Sequence, residues 1–305
     1  MVVSAHRRPE TPPSLEVTMA IAASHRFASG DLAPEPGRYR LVASGLCPWC
    51  RRVLIARRLL GLTEALPVSW CYGRGEDGYW ELTDGTGEPG EDPVLGARSL
   101  AEVYASTPGH EDPLTIPALV DTTSGQVVCD DSGDLLFDLA TAWWDLHAPG
   151  APDLYPIDRR NSTDAWDAWI GEHVNRAYGV ATHSEDEEAA EAAFSELLLA
   201  LDVIDTVLAR ATRMEASREA GLTIQDAPPL SAVVAVGQYL CGNEPTGSDI
   251  RLFTTLQSYT YGGRQQMPGG DAPSLSFWPA LARWFRALES RPGWVGAEER
   301  SALGL

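Results

Sequence analysis

Arg38-Tyr39-Arg40-Leu41-Val42-Ala43-Ser44, followed at once by Cys47-Pro48-Trp49-Cys50 and the apolar-periodic run Arg51 to Leu60, reads as strand, turn and helix. A second strand-like run, Leu66 to Tyr72, completes a βαβ unit. The C-x-x-C therefore sits where a strand hands over to a helix. A cysteine at a helix N-terminus faces unpaired backbone N–H groups and the positive end of the helix dipole, and both favour the thiolate. Free cysteine titrates near ~8.5, and sites of this kind bring it to roughly 3.5–7.5. Arg51 and Arg52 add positive charge within one turn, and Pro48 occupies a first-turn position that tolerates proline. Cys47 is the candidate nucleophile, its sulfur expected to lie ionised and open to solvent beside a groove for a small thiol, and Cys50 is its candidate resolving partner. A zinc half-site would need a second ligand pair. Cys71, Cys129 and Cys241 are single and no H-x₃₋₅-H pair exists, so redox chemistry fits better.

With 305 residues the chain has room for two domains. Ten tryptophans and 44% hydrophobic content mark it as globular. A net charge of −20 repels nucleic acid and anionic lipid, and the missing second ligand pair leaves no metal expected. Part of that charge, Glu185-Asp186-Glu187-Glu188, reads as a solvated helix start. Residues 1–24 form a Pro- and Thr-rich arm without the apolar core of a secretory signal, and no apolar run approaches membrane-span length. Five widely spaced cysteines do not form a disulfide framework, so a cytoplasmic location is expected.

Residues 25–147 make the first domain. Within it, 73–96 is a Gly-rich, acidic insertion carrying Tyr79 and Trp80, and Leu100 to Tyr104 a short helix. Ile116-Pro117 opens a strand to Asp121, and a proline there beside a C-x-x-C predicts a cis peptide. Ser124-Gly125 turns the chain back along Gln126 to Cys129, and Asp131-Ser132 caps a helix from Gly133. After the Pro/Gly-rich break 148–156 the texture becomes helical over 157–295. The segments are Asp158 to Gly179, Ala189 to Ala211, Leu230 to Leu240, Gly247 to Ser258 and Phe277 to Ser290, with a capping box at Thr246/Asp249.

A small α/β domain with C-P-x-C and Ile-Pro, followed by an all-helical domain, resembles the glutathione transferase superfamily: a thioredoxin-like N-terminal domain and a C-terminal helical bundle. Gly37-Arg38-Tyr39, Cys47-Pro48-Trp49, Gly75-Glu76-Asp77-Gly78-Tyr79-Trp80, Ile116 to Asp121, Val174-Asn175 with Tyr178, and Asp249 to Leu256 narrow the resemblance to the Xi class, the glutathionyl-hydroquinone reductases, over roughly residues 25–295. The resemblance implies that Cys47 is the catalytic thiol and that cis Pro117 lets the backbone at Ile116 pair with the thiol cofactor. It also implies that Asp131 and Ser132 hold the γ-glutamyl end of glutathione, that Trp80 or Tyr79 covers the cofactor, and that Tyr178, Tyr259 and Tyr261 touch the hydroquinone. The helix start at Ser132 suits a carboxylate and Asp131 an ammonium. A homodimer is implied by resemblance alone.

This chain departs from the family pattern at three places. C-P-W-C stands where the family has C-P-W-A. Asp131-Ser132-Gly133 stands for Glu-Ser-Ser. Gln257 to Gly263 replaces a substrate-side R-F-D-x-V-Y run. The expected function is a thiol-dependent reductase or transferase: Cys47 removes a small thiol, glutathione or mycothiol, from a hydroquinone-type conjugate through a mixed disulfide. A glutaredoxin-like dithiol reductase and a pathway-specific thiol transferase or C–S cleavage enzyme stand as alternatives on the same fold, with a non-enzymatic scaffold behind them.

Overall fold

The computed structural model of the chain describes residues 25–219, 237–270 and 272–305. The predicted arm, 1–24, lies outside them. Strands β1 (Tyr39–Ala43), β2 (Val68–Arg74), β3 (Trp80–Leu82), β4 (Ala118–Asp121) and β5 (Gln126–Cys129) form one sheet in the order β3-β2-β1-β4-β5. β1 and β2 run parallel with Leu41 opposite Val68, and every other neighbouring pair is antiparallel. A parallel pair needs a crossover. Helix α1 (Pro48–Leu59) supplies it, and α2 (Leu100–Tyr104) and α3 (Ser132–Thr141) complete this half of the fold. Tyr39, Leu41, Val42 and Ala43 of β1 and all of β4 are buried, because the central strands are covered on both faces.

The lead-in to β1 is pinned by one carboxylate. Asp138 of α3 receives Arg26 Nε and Nη2 at 3.1 and 3.0 Å and the Phe27 backbone N–H at 3.1 Å. Phe27 then packs edge-on against Tyr39 and Trp143, with ring centroids 5.0 and 5.3 Å away.

The second half is helical: α4 (Arg160–Ile170), a π-turn over Gly171–Arg176, α5 (Ala177–His183), α6 (Glu187–Glu219), α7 (Gly247–Thr260), α8 (Pro279–Glu289) and α9 (Ala297–Leu303). α7 is the bridge between the halves, packing on α1, α3 and α4. The predicted capping box forms at its start. Buried Asp249 accepts from the Thr246 N–H at 2.9 Å, and its carboxylate also takes the Leu240 N–H at 3.1 Å and Trp284 Nε1 at 3.0 Å. Among the described residues no helix is long and apolar enough to cross a membrane.

Three elements differ from the sequence reading. The insertion 73–96 contains β3, whose three residues are too few to show an alternating pattern; it pairs with β2 across a register shift between Cys71 and Gly73. The helix predicted over Leu230 to Leu240 is not helical at 237–240, where Tyr239 bridges to Gly242, and residues 230–236 lie outside the described residues. Helix α9 lies beyond the expected boundary at 295; Glu299 is its one buried residue, so it shows no apolar periodicity.

Replacing Asp249 by Ala leaves four buried donors without their acceptor: the Leu240 and Thr246 N–H groups, the Thr246 hydroxyl and Trp284 Nε1. The expected cost is at least about 2 kcal/mol, read as a lower urea midpoint at unchanged slope. An unchanged midpoint would show that the box does not hold α7.

Candidate active site

The end of β1 is forced into its path by what lies on both sides of it. Gly45 has no room for a side chain: a Cβ there would lie 2.8 Å from the Glu298 carbonyl oxygen and 3.2 Å from Ala302 Cβ, both on α9. Helix α9 is itself held by a buried ion pair, Glu299 with Arg58 of α1 at 2.7 Å. On the other side, the fully buried Arg51 donates through Nη1 to the carbonyls of Gly45 and Leu46 at 3.0 and 3.1 Å. Through Nη2 it reaches the Thr254 carbonyl at 3.3 Å and the Ser258 hydroxyl, both on α7. One arginine thus ties the loop before Cys47 to the helical half.

Cys47 is the N-cap of α1, with φ −80° and ψ 119°, and its sulfur accepts from the Cys50 N–H at 3.4 Å. The Cys47 thiol faces the Ile116 carbonyl at 3.5 Å, next to the cis Ile116–Pro117 peptide. Burial works to raise its pKa. The hydrogen bond from the Cys50 thiol, the N–H groups of Cys50 and Trp49, and the charge of Arg51 outweigh it, and the net shift is downward. The other four cysteines move the opposite way, chiefly through burial: Cys71 and Cys129 up to about 12, Cys241 up to about 11, and Cys50 well above the ordinary thiol value, with the neighbouring Cys47 adding to its shift. Cys47 is the chain's one thiol with a lowered pKa.

The expectation of a solvent-open sulfur needs correction. Cys47 is only 9% exposed, although Leu46 beside it is 51% exposed and Pro48 and Trp49 are half-buried. The thiol sits at the margin of the surface, covered by the Ile116–Pro117 segment. A cavity of about 550 Å³ lies elsewhere. It is lined by Leu59, Leu154, Arg159, Arg291 and Trp294 among others, and so sits at the far end of α1. Twelve helical residues place that end about 18 Å from Cys47.

Asp131 and Ser132 open α3. Asp131 Oδ1 accepts from the Gly133 and Asp134 N–H groups, both at 2.7 Å. The Ser132 hydroxyl receives Arg52 Nη1 at 3.3 Å, and the Arg52 guanidinium lies over the Trp49 ring, 4.2 Å from its centroid. Burial and the neighbouring Arg251 push Arg52 down to about 9. The departure at Gly133 has a local reason: a Cβ there would lie 2.5 Å from Arg251, whose Nε pairs with Asp167 at 2.9 Å.

Trp80 begins β3, opposite Arg74 at the end of β2, with the Arg74 guanidinium 5.0 Å from its ring centroid. Because β2 is parallel to β1, this is the end of the sheet at which Cys47 lies. Tyr79 points away to the Asp112 carboxylate, 2.9 Å from its hydroxyl.

The three tyrosines separate. Tyr178, just beyond the π-turn, is buried, and its hydroxyl lies against Gly263 together with the carbonyl of Ser258, the residue that Arg51 grips. Gly263 has no room for a Cβ because the Tyr178 hydroxyl fills that space. Tyr259 is 1% exposed and its hydroxyl donates to the Pro273 carbonyl at 2.6 Å. Tyr261 donates to Glu289 at 2.6 Å. Both hydroxyls are thus engaged with other parts of the helical half. Arg51, Arg52 and Tyr178 thus gather Cys47, Cys50, Ile116, Pro117 and Ser132 into one region. Sequence reasoning missed Gly45, Ser258 and the Arg251–Asp167 pair. Only Arg251 carried a signal, as part of the Asp249 to Leu256 motif.

Residues 187–287 match the glutathione S-transferase C-terminal domain family. Glutathionyl-hydroquinone reductase PcpF of Sphingobium chlorophenolicum is 33% identical over 225 residues, which cover 73% of this chain and 62% of PcpF. A glutathione transferase from Gordonia bronchialis superposes with a TM-score of 0.75 at 31% identity, over 90% of this chain and 77% of that one. The Xi glutathione S-transferase of Phanerochaete chrysosporium gives 0.73 at 26% identity, over 90% and 86%.

Alkylation of Cys47 followed against pH should show a midpoint below that of a free thiol. Cys50→Ala removes one donor to the Cys47 sulfur and should raise that midpoint. A wild-type midpoint at or above ~8.5 would contradict the thiolate assignment.

Proposed function

Because the chain belongs to the Xi class of the glutathione transferases, we propose that it is a thiol-dependent reductase whose nucleophile is Cys47. The observation that carries this reading is the Cys47 sulfur itself: it caps α1, accepts the Cys50 N–H, and lies beside the buried charge of Arg51. PcpF is named for the reduction of glutathionyl-hydroquinones, and the substrate class proposed here is a conjugate of that type.

The Cys47 thiolate attacks the sulfur of the conjugate. The carbon–sulfur bond breaks, the hydroquinone carbon takes a proton, and Cys47 is left in a disulfide with the small thiol. A second thiolate attacks that disulfide, restores Cys47 and departs as the symmetrical disulfide. The backbone at Ile116 lies where it can pair with the thiol cofactor, beside the sulfur. Asp131 uses one carboxylate oxygen to cap α3, and its other oxygen is the candidate partner for a γ-glutamyl ammonium. Ser132, already polarised by Arg52, serves the neighbouring carboxylate. Trp80 stands at the same end of the sheet as a cover, and Tyr178 with Ser258 lines the hydroquinone side.

Glutathione is the first thiol to test. Mycothiol is the second, because it has no γ-glutamyl group, and the shorter Asp131 with Gly133 and Arg251 beside it alters the place where that group would be held.

Purified protein should release free hydroquinone from a glutathionyl- or mycothiolyl-hydroquinone, and the rate with each conjugate identifies the thiol. Cys47→Ala should fall to the uncatalysed background. No release from either conjugate by the wild type, or full turnover by Cys47→Ala, would overturn the proposal.

A further inference from the structure

The cysteine at position 50 stands where the family pattern has alanine, and the structure gives it a specific place. Cys47 is the N-cap of α1 and Cys50 its N3 residue. Those two positions meet in a capping box, where the N-cap side chain accepts the N3 N–H and the N3 side chain reaches back toward the N-cap. The first half of that pairing is present here in sulfur: the Cys50 N–H lies 3.4 Å from Cys47 Sγ, and the N3 position puts the Cys50 side chain on the turn that faces it. Both are buried, but they differ in depth: Cys50 is 0% exposed and Cys47 9%, so Cys47 is the member of the pair nearer the surface.

We propose that Cys50 is a resolving thiol: it displaces the small thiol from a Cys47 mixed disulfide and closes a Cys47–Cys50 disulfide, which makes low-molecular-weight disulfides a second substrate class for this chain. The inference rests on Cys47 being the nucleophile. In the resting dithiol the charge on Cys47 holds the proton on Cys50. Once Cys47 is capped that charge is gone, while the helix N-terminus still acts on Cys50. The Cys50 thiolate then attacks Cys47 Sγ. The bond from Cys47 to the small thiol breaks, the Cys47–Cys50 bond forms, and the small thiol leaves as a thiolate that takes up the proton Cys50 released. With a small disulfide as substrate, two thiols are released and the protein is oxidised by two electrons. Two further thiols reduce it, the first attacking Cys47, and leave joined as their disulfide.

The test uses the full chain, reduced, freed of reductant and mixed with one equivalent of glutathione disulfide, then alkylated under denaturing conditions and weighed intact and as peptides. Wild type should be two hydrogens lighter, with Cys47 and Cys50 joined and unalkylated. Cys50→Ala, which carries the residue the family pattern has here, should keep one glutathione on Cys47. A wild type that retains glutathione on Cys47 with Cys50 alkylated, or a disulfide that maps to Cys47 and Cys71, overturns this inference and leaves the nucleophile reading standing. Failure of both proteins to react at Cys47 overturns the two together.

Discussion

The junction of β1 with α1 is the constraint on which the rest of the molecule depends. A helix start leaves backbone donors without partners, and here the side chain that caps it is a thiol. Sulfur is a weak acceptor in its neutral form and a strong one when ionised. Capping the helix is therefore the event that favours ionising the cysteine. That event occurs only if the loop 44–46 delivers Cys47 to the helix axis, and the loop has little freedom. Helix α9 presses on it at Gly45, and Arg51 grips its carbonyls from the opposite side.

The buried arginines explain how the two halves of the chain share one site. Arg51 is fully buried, and its hydrogen-bond partners are carbonyl and hydroxyl oxygens. Burial pulls its pKa down, and the neighbouring Cys47 pulls it up. A thiolate at 47 and a guanidinium at 51 thus stabilise each other in a place where either alone would be costly. Arg52 is placed similarly but turned the other way, stacked on Trp49 and donating to Ser132 at the start of α3. Adjacent residues on α1 therefore point one charge toward the loop before Cys47 and the other toward the helix start that the family resemblance assigns to the thiol cofactor. Because α7 supplies Thr254 and Ser258 to Arg51, the helical half holds the loop before Cys47 in the α/β half.

Much of this was legible in the sequence because it is local. The βαβ order, the cap at Cys47, the cis proline, the start of α3 and the box at Thr246/Asp249 each follow from a few neighbouring residues whose types suit one backbone geometry. β3 escaped notice because three residues carry no period, and α9 because a helix with one buried side chain has no apolar stripe. The tyrosines show the limit most clearly. Tyr178, Tyr259 and Tyr261 are equivalent as letters, yet Pro273 and Glu289 claim two of the hydroxyls, and those partners lie 14 and 28 residues away in the chain.

By itself, then, the sequence determined which cysteine caps the helix and so is the candidate nucleophile, since helix capping and dipole effects act within one turn. Only the tertiary structure decided how far the sulfur is covered, which tyrosine stands near it, and which charge faces it. Those depend on α7 and α9 folding back onto a loop two hundred residues or more upstream, with Ser258 reaching Arg51 across 207 positions of chain. Burial and pairing at that range are set by packing, which no local pattern of residue types encodes.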